Sequence, residues 1–96
     1  MKALPLLVFF TSARSGPARR MESVLAHIAR KERGYFRVMR VDVDAHPELV
    51  ERFRVEVVPT LVLVRERRVV GRLEGRVSAP RIGRLLEAHR EPLVAA

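Results

Sequence analysis

Two stretches of the chain are almost wholly apolar, "LPLLVFF" at 4–10 and "VVPTLVLV" at 57–64. Runs of that length without polar alternation suit strands buried on both faces, so both belong in the middle of a sheet. "YFRVMRVDV" at 35–43 is β-branched and aromatic but broken by arginines, which places it nearer an edge. "VVGRLEG" at 69–75 follows the second apolar run after only "RERR" at 65–68, so those two strands form an antiparallel hairpin.

Between the strands the period changes to that of a helix. Over 18–33, Met21, Val24, Leu25, Ile28 and Ala29 fall on one stripe, with Arg20, Glu22, His27, Arg30 and Lys31 outside it. Ser15 and Pro17 suit its start and Gly34 its end. "DAHPELVERF" at 44–53 predicts a short helix, Pro47 in its first turn and Leu49, Val50 and Phe53 inward. The last helix runs over 79–89, capped by Ser78, with Ile82, Leu85 and Leu86 inward. Gly83 within it costs roughly 1 kcal/mol against alanine.

The order is β-α-β-α-β-β-α. A strand, a crossover helix and a second strand must be parallel and right-handed. These constraints give an α/β fold, a four-stranded mixed sheet in the order 2-1-3-4 with three helices on both faces. Residues 1–96 form a single domain without repeats or linkers. With strand 3 antiparallel to strand 1, "VPT" at 58–60 faces the loop "RSGPA" at 14–18. Any site should lie at that end.

Composition narrows the chemistry available there. The chain has no cysteine, which excludes disulfides, thiolate metal sites and thiol catalysis. Three dispersed histidines, with Asp42 and Asp44 alternating on a strand, match no metal-ligand spacing, and Asp44 reads as the cap or lead-in of the short helix. Ser15 as a nucleophile would need a base in reach. His27 lies 12 residues along the helix, roughly 15–18 Å away by helical rise. His89 closes the last helix, and only His46 leaves the sheet at the correct end. No cofactor or metal is expected.

Nineteen Lys+Arg against eleven Asp+Glu give a formal charge of +8, which favours acidic partners. The arginines are scattered rather than clustered. Tyr35 is the single tyrosine and tryptophan is absent, so stacking on single-stranded nucleic acid lacks its side chains. An anion could sit at the N-terminus of the 18–33 helix, where Arg14, Arg19 and Arg20 gather. The start "MKALPLLVFFTSA" resembles a short export signal, but its removal would delete the most apolar strand, so a cytoplasmic protein with no membrane span is expected.

From about Leu4 to His89 the chain resembles thioredoxin, without that family's N-terminal strand and helix. The likeness rests on the first apolar strand, the "GP" turn at Gly16 and Pro17, "VDVDAHPELVERFRVEVVPTLVLV", the hairpin and Gly75. The family carries W-C-G-P-C at this turn and a cis proline before threonine opposite it. The resemblance therefore implies a cis Val58–Pro59 bond. Ser15 and Ala18 occupy the two cysteine positions, Arg14 the tryptophan, Phe9 the buried carboxylate, and Arg40 that acid's lysine partner. A trapped Cys→Ser, Cys→Ala variant would account for Ser15 and Ala18 but not for Phe9 or Arg14, so the loss reads as natural. The resemblance implies a redox-inert protein that binds a protein or peptide segment on the edge formed by Val58, Pro59 and Thr60. Arg14, Ser15, Gly16, Pro17, Ala18 and Gly75 surround that edge. The runner-up is a basic module for anions or nucleic acid. Capping serines and strand-opening prolines are also ordinary features that need no ligand.

Overall fold

The computed structural model describes residues 4–90; Met1–Ala3, the start of the signal-like stretch, and residues 91–96 lie outside it. The elements are β1 (Leu6–Thr11), α1 (Gly16–Lys31), β2 (Arg37–Asp42), α2 (Pro47–Arg52), β3 (Thr60–Arg65), β4 (Arg68–Glu74) and α3 (Ala79–His89). They form one four-stranded sheet in the order β2-β1-β3-β4, with β1 and β2 parallel and the other neighbours antiparallel. Fold class and strand order agree with the sequence reading. No helix of the described residues is long and apolar enough to cross a membrane.

Successive side chains of a strand point to opposite faces, which splits the core in two. Leu7, Phe9, Leu61 and Leu63 face α1 and α3, where Met21, Leu25, Ile28, Ile82 and Leu86 close over them. Val8, Phe10, Val41 and Val62 face α2, with Leu49, Phe53 and Val55 packed against them. Burying each large side chain contributes about 1.5–3 kcal/mol. The inner faces of both long helices are therefore the main tie between helices and sheet. Gly71 lets α3 approach β4: a Cβ there would stand 2.5 Å from Leu85 Cδ1.

Several boundaries differ from the sequence reading, each for a local reason. α1 begins at Gly16 because Ser15 caps it, and it stops before Glu32, whose N–H closes the last turn on the Ile28 carbonyl. Gly34 lies beyond that end and does not terminate the helix. α2 is shorter than 44–53 and buries no residue completely; Leu49 and Phe53 pack inward, whereas Val50 is not part of that cluster. β3 starts at Thr60 rather than 57, since the Thr60 hydroxyl bonds back to the Val57 carbonyl at 2.7 Å and holds 57–60 in a turn. The hairpin turn is only Glu66 and Arg67, both at positive φ (51° and 68°), the conformation a two-residue turn between twisted strands requires.

Candidate functional site

Strand register brings four chain segments to one end of the sheet. Thr11 pairs with Asp42, Phe10 with Thr60, and Thr60 with Glu74, so the loops after β1, β2 and β4 meet the segment entering β3.

The loop after β1 is held by its own small polar residues. Ser15 N–H donates to the Ser12 carbonyl at 3.0 Å, and Arg14 N–H donates to Ser12 Oγ at 3.2 Å. Ser12 Oγ in turn donates to Asp44 Oδ2 at 2.9 Å, while the Arg14 guanidinium donates to Asp44 Oδ1 at 2.5 Å. Asp44 therefore precedes α2, in the turn before His46, but does not cap it. It ties the loop after β2 to the loop after β1. The Arg14 hydrogen bond, supported by that of Ser12, holds the Asp44 carboxyl below its ordinary pKa, and the same contact raises that of Arg14. Position 46 precedes α2, yet the His46 ring makes no capping bond.

Ser15 Oγ accepts the Ala18 N–H at 3.1 Å, satisfying one of the free donors at the start of α1, and Pro17 sets the backbone of that first turn. The same hydroxyl donates across the cleft to the Val58 carbonyl at 3.5 Å, a long contact. Ala18 is wholly buried. No histidine is among the partners of Ser15, so its hydroxyl has no base to activate it.

Opposite, the Val58–Pro59 peptide is cis. The Pro59 carbonyl accepts the Gly75 N–H at 2.8 Å, and Gly75 sits at φ +76°, a conformation that favours glycine. Pro59 and Thr60 are buried and their polar groups are engaged. Val58 is half-buried and Val57 is 45% exposed. Among the described residues no hydrogen bond engages the Val58 N–H.

Among the described residues no carboxylate is buried beneath this end. Phe9 fills the core beside Arg40 and Leu61. Arg40 turns outward and pairs with Glu22 of α1 at 2.6 Å. A cavity of about 170 Å³ between them is lined by Phe9, Leu25, Ala26, Ala29 and Val38. Thr11, at the end of β1, is wholly buried, and its hydroxyl finds no partner among the described residues. The sequence reading passed over Thr11 and Ser12. The one local signal for Ser12 was its place two residues ahead of Arg14, in a serine-turn arrangement.

The family model of thioredoxin matches residues 1–88. This chain belongs to the thioredoxin family. It is 32% identical over 83 residues to a thioredoxin-like protein of Synechocystis sp., covering 86% of this chain and 76% of that one. It is also 35% identical over 71 residues to the bifunctional thioredoxin reductase/thioredoxin of Mycobacterium leprae, a match that takes in 74% of this chain but only 16% of that protein. Among solved structures, the germline-specific thioredoxin Deadhead of Drosophila melanogaster superposes with a TM-score of 0.83 at 28% identity, covering 88% of this chain and 80% of that one. This chain has no cysteine, and Ser15 and Ala18 flank its Gly16–Pro17 turn.

Proposed function

We propose that this thioredoxin-family chain is redox-inert and binds an extended protein or peptide segment at the Ser15/Pro59 end of its sheet, in the cytoplasm. The observation that carries the reading is Val58, a half-buried residue with a main-chain N–H that no described residue uses, beside exposed Val57. A segment laid against it gains main-chain hydrogen bonds of the strand-addition kind, which need no sulfur. Ser15, Arg14 and Gly75 form the rim. Disulfide exchange requires an attacking thiolate, and the chain has none to offer. The apolar run near the start is strand β1 of the core, so it cannot be cleaved away with the fold intact.

The test is capture from nuclease-treated and untreated lysate, at low and high salt, beside a Val58→Asp variant whose folding is checked by circular dichroism. Proteins retained at high salt and lost with Val58→Asp support the reading. Capture that disappears with nuclease or salt, and ignores Val58→Asp, overturns it in favour of nucleic acid held by the arginines. In parallel, insulin reduction by dithiothreitol proceeds at the same rate with and without the protein; acceleration would refute redox inertness.

A further inference from the structure

The opposite end of the sheet carries a second surface that the ancestral site does not use. α2 has six residues, a length of about 9 Å. The strands below it have six or seven, about 20 Å. So short a helix covers only part of its face. It packs where Phe53 meets Phe10, ring centroids 5.7 Å apart, and Arg72 pins its last turn by donating to the Phe53 and Arg54 carbonyls. Beyond Phe53 the face is open. Val64 and Val69, paired across the hairpin, stand there, and Val69 is 50% exposed. Phe53, Val64 and Val69 floor a hollow of about 540 Å³ whose other lining residues are Arg52 and Arg67.

Both arginines are exposed, and neither has a carboxylate partner among the described residues. Two unpaired guanidinium groups over an apolar floor select a ligand with the converse pattern, an apolar group flanked by carboxylates. A second copy of this chain fails the test of charge, since each carries +8. A membrane surface fails the test of shape, because the hollow is concave and asks for a protruding group. A free small amphipath would be enclosed over most of its surface, whereas half of Val69 stays in solvent.

We propose that the hollow between α2 and the β3–β4 hairpin is a docking site for an acidic protein segment that projects one large aliphatic side chain between two or more carboxylates. The aliphatic group sits on Val64, Val69 and Phe53, and the carboxylates pair with Arg52 and Arg67. This surface is separate from the Ser15/Pro59 end, and neither reading depends on the other.

The experiment uses a fluorescein-labelled peptide, Glu-Asp-Leu-Glu-Asp, and its Leu→Ser counterpart, titrated by anisotropy with the whole chain at near-physiological salt. The leucine peptide binds, and the serine peptide binds about tenfold more weakly, as loss of a buried anchor requires. Arg52→Glu and Arg67→Glu each weaken the leucine peptide by a further factor of about ten or more. Arg52→Glu lies on an exposed helical position, so it tests the site even if Arg67→Glu disturbs the hairpin. Val58→Asp leaves this binding unchanged, which separates its fate from that of the other end. Equal binding of the two peptides, wild-type affinity in Arg52→Glu, or no binding by the wild type would overturn the proposal. So would vesicles rich in anionic phospholipid that bind the chain and are not displaced by the peptide.

Discussion

Removing the Ser15 hydroxyl distinguishes a helix cap from a mere loop residue. Ser15→Ala deletes the acceptor for the Ala18 N–H, 3.1 Å away. N-cap serine to alanine changes cost about 0.5–2 kcal/mol, the low values arising where water takes over the freed donor. Ala18 is wholly buried, so water has no access and the cost belongs near the top of that range. The contact to the Val58 carbonyl, at 3.5 Å, sits at the limit of hydrogen bonding and adds a few tenths of a kcal/mol at most. The total is about 2 kcal/mol. With a urea slope of about 1–1.5 kcal/mol per molar for so small a domain, the unfolding midpoint falls by roughly 1–2 M. Ser15→Asp isolates the two contacts, because aspartate can accept from Ala18 but cannot donate to Val58. It also places a negative charge at a helix start whose first turn has no acid and contains Arg19. Its stability is within about 0.5 kcal/mol of wild type, or above it. A Ser15→Ala shift below about 0.3 kcal/mol would show that the buried Ala18 donor has another acceptor. An aspartate variant as unstable as the alanine one would move the weight to the Val58 bridge. Either result refutes the reasoning.

Two further outcomes follow from ion pairs. Asp44, held below its ordinary pKa of 3.8 by Arg14 and Ser12, contributes stability that is present above the unfolded value and lost as pH falls through the folded one. Urea midpoints of wild type and Asp44→Asn therefore differ most near neutral pH and converge below about pH 4; a gap that persists unchanged in acid would refute this. Glu32, buried at the end of α1, accepts the Arg90 guanidinium from the end of α3, and Arg90 also lies over the Tyr35 ring at 4.6 Å. Arg90→Met leaves the Glu32 carboxylate without its partner and costs about 2 kcal/mol, between the values for exposed and buried pairs. The double variant Glu32→Gln/Arg90→Met costs less than the sum of its parts, and strict additivity would refute the coupling.

Much of the fold was legible because its signals are local. Unbroken apolar runs marked β1 and β3 as central, and the serine before Gly16–Pro17 marked the start of α1. The roles that escaped notice depend on partners far apart in the chain. Asp44 meets Ser12 and Arg14 only because parallel pairing of β1 and β2 puts both loops at the same end, and nothing in "DVDAHP" tells a loop clamp from a helix cap. Glu32 and Arg90 are separated by 58 positions, and at that distance a charged pair leaves no periodic trace. The hairpin was legible from its short "RERR" connection, but its two-residue turn was not, because Glu66 and Arg67 are not the residues that usually adopt positive φ. Pairing of Arg65 with Arg68 across the strand ends nonetheless leaves only two residues for the connection.

The end of the sheet that carries Ser15 keeps its form without cysteine because none of its fastening bonds passes through sulfur. The Ser15 cap, the Asp44 clamp, the Thr60–Val57 bond and the Pro59–Gly75 bond hold it together. Where a buried acid would support thiol chemistry, Phe9 contributes packing, and Arg40 finds its carboxylate in Glu22 at the surface. Cysteines placed at 15 and 18 would therefore sit in an intact loop, but with no buried acid beneath them among the described residues. At this end the Thr11 hydroxyl has no partner among the described residues, and the Val58 N–H is one of several main-chain donors there that make no hydrogen bond. Thr11 is sealed in the core, whereas Val58 is not. On the function proposed above, a partner segment adds its main-chain bond at Val58 without breaking one already made.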